Sequence, residues 1–296
     1  MVRALFLGNI TIDRVEDHRI RVGGSGLYGG IALAEYLGAE VYVYTSVDEV
    51  YGPMIRSVLN SYGIAVLCKQ CSSPTIFVIR GGKAVDIGGT GCKILMEEAL
   101  SAVKVVRPKI ILCTPVYREL DPYIVAELNR EVGGAAILSM DIQGFVRIKE
   151  CDRIGCMWSK DLEKAMLETN LAHGNISEYC FASSEHEVVA RLRDLSSCAK
   201  GAIVASLDDR GCYVAIKGEV FRIPAPRVNA MDEVGAGDVL TAVASYFIAS
   251  GHGYLESVAR GVVAASLKTE NPYGRWFDKE SIENLSRELM KLIEAV

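Results

Sequence analysis

At 296 residues, half of them hydrophobic, the chain can bury the core of one large α/β domain or of two small ones. A formal charge of −5 excludes a nucleic-acid binder that works through a general basic surface, so an anionic ligand has to be held by local features such as helix N-termini. No apolar run approaches a membrane span, and the start MVRALFLGNITID lacks the charged, apolar and small-residue order of a signal peptide; a cytoplasmic protein without a membrane partner is expected.

The first strand reads Val2 to Leu7, with Gly8-Asn9 turning at its end. A short charged stretch from Asp13 to Arg21 reads as a brief hairpin leading to Val22. Gly23-Gly24-Ser25-Gly26 then opens an apolar helix from about Leu27 to Leu37, stopped by Gly38. Val41 to Ser46 reads as a buried strand and Tyr51 to Tyr62 as an amphipathic helix closed by Gly63. Ile64 to Cys68 and Thr75 to Ile79 are strand-like, with Gly81-Gly82 as a hairpin turn before Lys83 to Ile87.

From residue 109 the pattern is regular. Short apolar strands are expected at Ile110–Cys113, Ala136–Met140, Tyr179–Phe181 and Ala202–Ala205, with helices over Asp121–Val132 and Glu185–Leu195. This alternation, with fully apolar strands, predicts a mostly parallel central sheet covered by helices on both faces. Val239–Ala249 and Leu255–Leu267 read as long apolar helices, and an amphipathic helix starts at Ser281. One domain over 1–296 with a small β lid from about 13–22 and 75–90 fits this order.

Nine cysteines are many for a cytosolic chain. Cys68-x-x-Cys71 could be half of a zinc site, but no second CxxC or HxxxH pair completes it. Buried free thiols are the main reading, with structural disulfides as the alternative. Intracellular disulfides are a feature of hyperthermophile proteins, and the near absence of glutamine leans towards a thermophile. His18, His173, His186 and His252 are scattered and read as surface residues.

The chemistry concentrates in Asp232-Glu-Val-Gly-Ala-Gly-Asp238, between a strand at Val220–Ile223 and an apolar helix. Its glycines let the backbone approach a ligand closely. The amides of Gly235, Ala236 and Gly237 would face an anion at the helix start, with the helix dipole behind them. Asp238 follows one residue later, within reach of a hydroxyl attacking a phosphate held there. The competing reading is a packing loop with Asp238 as an N-terminal cap.

This segment resembles the D-[TS]-[TV]-G-A-G-D signature of ribokinase-like sugar kinases, the PfkB-type superfamily. Other stretches agree along the chain. Gly8-Asn9-Ile-Thr-Ile-Asp13 looks like the family's first strand, and Gly23-Gly24 with the helix ending at Leu37-Gly38 looks like its first signature. Ser206-Leu-Asp-Asp-Arg-Gly211 is similar to the T-L-G-x-x-G turn beside the nucleotide, and Ser184-Glu-His-Glu187 stands for N-x-x-E. Asp141-Ile-Gln-Gly-Phe-Val-Arg147 resembles a loop of myo-inositol-kinase-like members; ribose-1-phosphate-kinase-like members are the other near group. The chain departs from the pattern at Tyr28-Gly29 in place of the sugar-binding Asn, at Ser184, at Glu233 and in a shortened 13–23 stretch.

The resemblance implies a kinase that moves the terminal phosphate of ATP to a hydroxyl of a sugar, polyol or sugar phosphate, myo-inositol or ribose 1-phosphate foremost. Asp238 would be the base and Gly235, Ala236 and Gly237 the anion hole. Asn9, Asp13, Gly23, Gly24, Gln143 and Arg147 would hold the acceptor. Ser184, Glu187, Ser206, Asp208, Gly211, Ala264 and Asn271 would hold the nucleotide, with Glu187 acting indirectly on Mg²⁺. The protein would be a monomer or homodimer.

Three other readings compete. Gly24-Ser-Gly-Leu-Tyr-Gly29, with Asp48 beyond it, also fits a dinucleotide fingerprint, but Asp13 to Val22 separates it from the first strand. A nucleoside kinase of the same fold and a non-catalytic sugar- or nucleotide-binding protein are the others. Arg14, Arg21 and Lys93 read as solvated surface charges.

Overall fold

The structure, a computed structural model, describes residues 1–15, 19–81, 83–151 and 153–296. His18, within the stretch expected as a hairpin, and Gly82, expected in a turn, lie outside the described residues.

The chain opens with β1 (Arg3–Leu7), leaves for β2 (Thr11–Val15) and β3 (Ile20–Gly23), and returns through α1 (Ser25–Ile31). A π-helical turn extends α1 to Tyr36, ahead of β4 (Glu40–Val47), α2 (Gly52–Ser61) and β5 (Ile64–Gln70). A second excursion makes β6 (Thr75–Arg80) and β7 (Lys83–Thr90), followed by α3 (Met96–Val106), β8 (Ile110–Cys113), α4 (Pro122–Val132) and β9 (Ile137–Asp141). The short α5 (Gln143–Val146) runs into a hairpin of β10 (Arg147–Glu150) and β11 (Arg153–Cys156). Next come α6 (Lys160–Leu167), β12 (Leu171–Asn175), α7 (Glu185–Cys198), β13 (Ala202–Ser206), β14 (Cys212–Ile216) and β15 (Glu219–Ile223). The chain finishes with α8 (Ala236–Ala249), α9 (Tyr254–Glu270), α10 (Lys279–Met290) and β16 (Glu294–Ala295).

The main sheet has ten strands in the order β16-β15-β14-β13-β12-β9-β8-β1-β4-β5. From β13 to β5 every pairing is parallel, and the β14, β15 and β16 end is antiparallel. Period-2 alternation divides the core into two layers. In β1, Ala4 and Phe6 face the layer under α1, α8 and α9, while Leu5 and Leu7 face the layer under α3, α4 and α7. A second sheet, ordered β3-β2-β6-β7, takes in the stretches expected near 13–22 and 75–90.

The strand expected at Tyr179–Phe181 is a loop, and β12 takes its place eight residues earlier. Tyr179 and Phe181 serve as packing instead. The Tyr179 hydroxyl donates to the Val204 carbonyl at 2.8 Å, and Phe181 meets Trp158 edge-on at 4.8 Å. The cysteine expectation also changes. Cys71–Cys92 and Cys156–Cys180 are disulfides, Cys113 and Cys212 are buried thiols, and Cys68, Cys151 and Cys198 are exposed. With Cys71 bonded to Cys92, the half zinc site is gone.

Candidate active site

The Asp232–Asp238 loop packs against the C-terminal end of α9. Met231 and Asp232 amides donate to the Thr269 carbonyl at 2.8 and 3.2 Å, and the Lys268 ammonium donates to the carbonyls of Asp232 (3.0 Å) and Val234. Gly235 ends the loop at φ +81°, where an added Cβ would lie 2.3 Å from Tyr28 Cγ, so both backbone and space demand glycine. The Ala236 amide is used by the Glu233 carbonyl at 3.1 Å. Among the described residues the amides of Gly235, Gly237 and Asp238 find no protein acceptor, so the free amides at this helix start are shifted from the expected set, with Asp238 in place of Ala236.

Asp238, half-buried in the first turn of α8, accepts a short hydrogen bond from the Ser25 hydroxyl. Burial and then the nearby Asp141 carboxylate push its pKa up to about 6, against the opposing pull of Ser25, Arg147 and His173. A carboxylate that titrates near neutrality, beside free amides at a helix N-terminus, can take a proton from an alcohol as that alcohol attacks an anion.

Sequence reasoning missed the residues behind this loop. His173, expected at the surface, is 2% exposed on β12, with Nδ1 2.8 Å from Asp141 and Nε2 3.2 Å from the Ser206 hydroxyl. A Cβ at Gly237 would lie 3.1 Å from its ring, so the imidazole forms the floor of the Asp232–Asp238 loop. Burial opposes a charge on His173, but the hydrogen bond and charge of Asp141 outweigh it and raise its pKa. Just beyond, Asn175-Ile-Ser-Glu178 is itself an N-x-x-E sequence. Glu178 sits 3.8 Å from Arg147 and accepts from the Asn175 amide at 2.9 Å; burial, then Asp141, pushes its carboxyl up to about 7. Ser184 and Glu187, read from the sequence as that motif, cap α7 instead. The Ser184 hydroxyl takes the Glu187 amide at 3.3 Å, and the Glu187 carboxylate takes the Ser183 amide at 2.8 Å.

On the other side of Asp238 lie the acceptor candidates. Gln143 Nε2 is 3.5 Å from the Ser25 hydroxyl, and its backbone amide donates to Asp141 at 2.9 Å. Arg147 lies over the Phe77 ring at 5.5 Å and donates to the Val116 carbonyl at 3.3 Å. Asp13 is 4% exposed, held by the Thr11 hydroxyl at 2.7 Å and by Arg21 at 3.6 Å, and burial raises its pKa. Gly23 makes room for that carboxylate, since its Cβ would lie 2.4 Å from Asp13 Oδ2, and Gly24 starts α1 at φ +97°. Arg21, expected as a solvated charge, spans from Asp13 to Asp232 (3.4 Å). Lys93 pairs with Asp121 at 2.8 Å in an exposed ion pair. Asn9 is 1% exposed with its side chain committed to Ser46 and the Cys92 carbonyl, so it shapes the turn from within.

The expected nucleotide residues are dispersed. Ser206 meets His173, and Asp208, at φ +54°, accepts from the Asn175 amide group at 2.8 Å. Gly211 turns at φ +97° where a Cβ would strike the Ile223 carbonyl. Asn271 is exposed at the end of α9. Ala264 is 0% exposed on α9, packed in the core that α9 shares with α8.

Residues 154–276, which carry β12, the Asp232–Asp238 loop and α8, match the model of the pfkB family carbohydrate kinase. No curated protein matches the chain in sequence. Among solved structures, a pyrophosphate-dependent kinase in the ribokinase family, complexed with a pyrophosphate analog and myo-inositol, superposes with TM-score 0.78 at 18% identity, covering 95% of this chain and 99% of its own. Ribokinase from Thermotoga maritima superposes with TM-score 0.73 at 16% identity, covering 97% and 100%. Phosphofructokinase-2 from Escherichia coli gives 0.72 at 16%, covering 98% and 100%. The resemblance drawn from the Asp232–Asp238 signature therefore holds in the family match and in the fold.

Proposed function

We propose that this chain of ribokinase fold is a kinase that transfers a phosphoryl group from a phosphorylated donor to a hydroxyl of a small sugar, polyol or sugar phosphate. The observation that carries the reading is Asp238, poised near neutral pKa beside the unpaired amides of Gly235 and Gly237 at the start of α8. The donor's terminal phosphate lies against those amides. The acceptor hydroxyl points at Asp238, gives up its proton there, and its oxygen bonds to phosphorus as the bond to the leaving phosphate breaks. Ser25 fixes the orientation of the carboxylate, and His173, held by Asp141, supports the loop from beneath. The sheet of β2, β3, β6 and β7 acts as the lid, with Asp13, Gln143 and Arg147 reading the acceptor.

For the acceptor, myo-inositol and ribose 1-phosphate lead, because Arg147 is half-buried and offers a planar fork towards hydroxyls or a phosphate. For the donor, ATP is the first expectation, but pyrophosphate is the second reading. A solved pyrophosphate-dependent kinase shares this fold over nearly its full length, and the expected nucleotide residue Ala264 is buried. Mg²⁺, bound with the donor, would neutralise charge on its phosphates. Glu178, a carboxylate beside Arg147 at the site, fits that role, whereas Glu187 is occupied in capping α7.

The test is a coupled phosphotransfer screen with ATP or pyrophosphate and Mg²⁺ against myo-inositol, ribose 1-phosphate, ribose, fructose 6-phosphate and nucleosides. Wild type and Asp238→Asn are run side by side. Turnover of one acceptor that vanishes in the variant supports the reading. Bound donor with no turnover of any acceptor favours a binding protein.

A further inference from the structure

We infer that Lys268 is a positioning residue: its ammonium acts as a built-in cation that gathers the carbonyls of the phosphate loop and so turns the following amides towards the donor. This deepens the function proposed above and rests on it. Lys268 lies in the last turn of α9 and is 1% exposed, an uncommon setting for a lysine. Its Nζ donates to the carbonyls of Asp232 (3.0 Å) and Val234, two residues apart in the loop, and lies 5.4 Å from the centre of the Tyr28 ring.

No carboxylate lies within ion-pair distance of this ammonium among the described residues, so its direct partners are carbonyl dipoles and a ring face; burial lowers its pKa, while the carboxylates of Asp232, Asp238 and Glu233, farther off, favour its charged form. In a trans peptide the N–H points opposite to the carbonyl, so holding the Val234 carbonyl on this cation turns the Gly235 N–H away from it. The Gly235 amide turned in this way is unpaired among the described residues, and the unpaired Gly237 amide lies two residues further on. Tyr28 completes the clamp, since it contacts Lys268 through its ring and Gly235 through van der Waals packing. A purely structural role would need only the two hydrogen bonds; the inferred role also needs a positive charge at that point.

Lys268→Ala and the uncharged near-isostere Lys268→Met separate these roles. Two readouts are used: calorimetric binding of inorganic pyrophosphate and of ATP with Mg²⁺, and turnover in the screen above. Each variant is expected to lose roughly 10- to 100-fold in donor affinity or kcat/KM. Ammonium or methylammonium chloride, but not equal sodium chloride, is expected to restore Lys268→Ala by placing a cation in the vacated space, and not Lys268→Met, whose side chain fills it. Wild-type affinity and turnover in Lys268→Met would overturn the inference, as would a loss in Lys268→Ala that ammonium does not reverse while circular dichroism shows the fold intact. If wild type turns over no acceptor, the proposed function fails, while ammonium-dependent pyrophosphate binding still reports on Lys268.

Discussion

At the scale of single residues, the Asp238 carboxyl has two consequences that oppose each other. In the proposed role of general base it has to be ionised, and its pKa near 6 places that transition on the acid side of neutrality. We expect kcat/KM to fall tenfold per pH unit below about 6; a flat profile from pH 5 to 8 would remove Asp238 from the chemistry. Asp238→Asn is expected to cost 10²–10⁴-fold in kcat while donor binding survives, checked by turnover and calorimetry. Its effect on stability has the reverse sign. The folded chain holds this proton up to about pH 6 and the unfolded chain only to about 3.8, so between those values the folded state binds more protons and loses stability as pH rises. At pH 7 the neutral Asn variant should therefore be more stable, by on the order of 1 kcal/mol, in urea unfolding. Equal or lower stability would mean that the carboxylate is better solvated than its surroundings indicate.

The elements around the site show which parts of it a sequence can reveal. The loop entering α8 was legible because its glycines answer to backbone geometry. Gly235 sits at φ +81° with Tyr28 where a side chain would go. Gly235→Ala is accordingly expected to lower pyrophosphate or ATP affinity at least tenfold and the melting temperature by a few degrees, measured by calorimetry and thermal unfolding. Unchanged binding would show that the loop relaxes around the methyl group. β12 was not legible, and its loss hid half of the site. Leu171-Ala-His-Gly-Asn175 has no β-branched residue and carries a histidine and a glycine, whereas Tyr179-Cys-Phe181 has the aromatic content of a strand. Strand propensity favoured the wrong stretch, so His173 looked like a surface residue and Asn175-x-x-Glu178 went unread. Glu178 could have been found from that four-residue spacing alone, had it been placed at a strand's C-terminal end. The Lys268 contact had no sequence signal, because it joins the end of α9 to a loop 34 to 36 residues earlier.

Across the whole molecule, the parallel sheet was foreseen from its apolar strands, but the two disulfides needed three-dimensional proximity to be seen. Both lie at the edge of the candidate site. Cys71–Cys92 joins the two ends of the excursion that makes β6 and β7, and Cys156–Cys180 ties the β10–β11 hairpin to the segment just after Glu178. Lys149 links that hairpin to β7, through Asp86 at 3.0 Å and the Ile87 carbonyl at 2.7 Å. Closing a loop of this size contributes about 3 kcal/mol by the chain-entropy argument. Cys92→Ser is expected to lower the melting temperature by several degrees and to raise KM for the acceptor more than it lowers kcat. An identical KM, with full reduction verified by thiol labelling, would show that the excursion keeps its place unaided. The geometry of that bridge has an evolutionary consequence. Its Cα atoms stand 5.9 Å apart, so residues 72–91 leave and rejoin the body through one narrow gate. Such a stretch is a cassette: its length and sequence can drift towards new acceptors while the sheet beneath keeps its register.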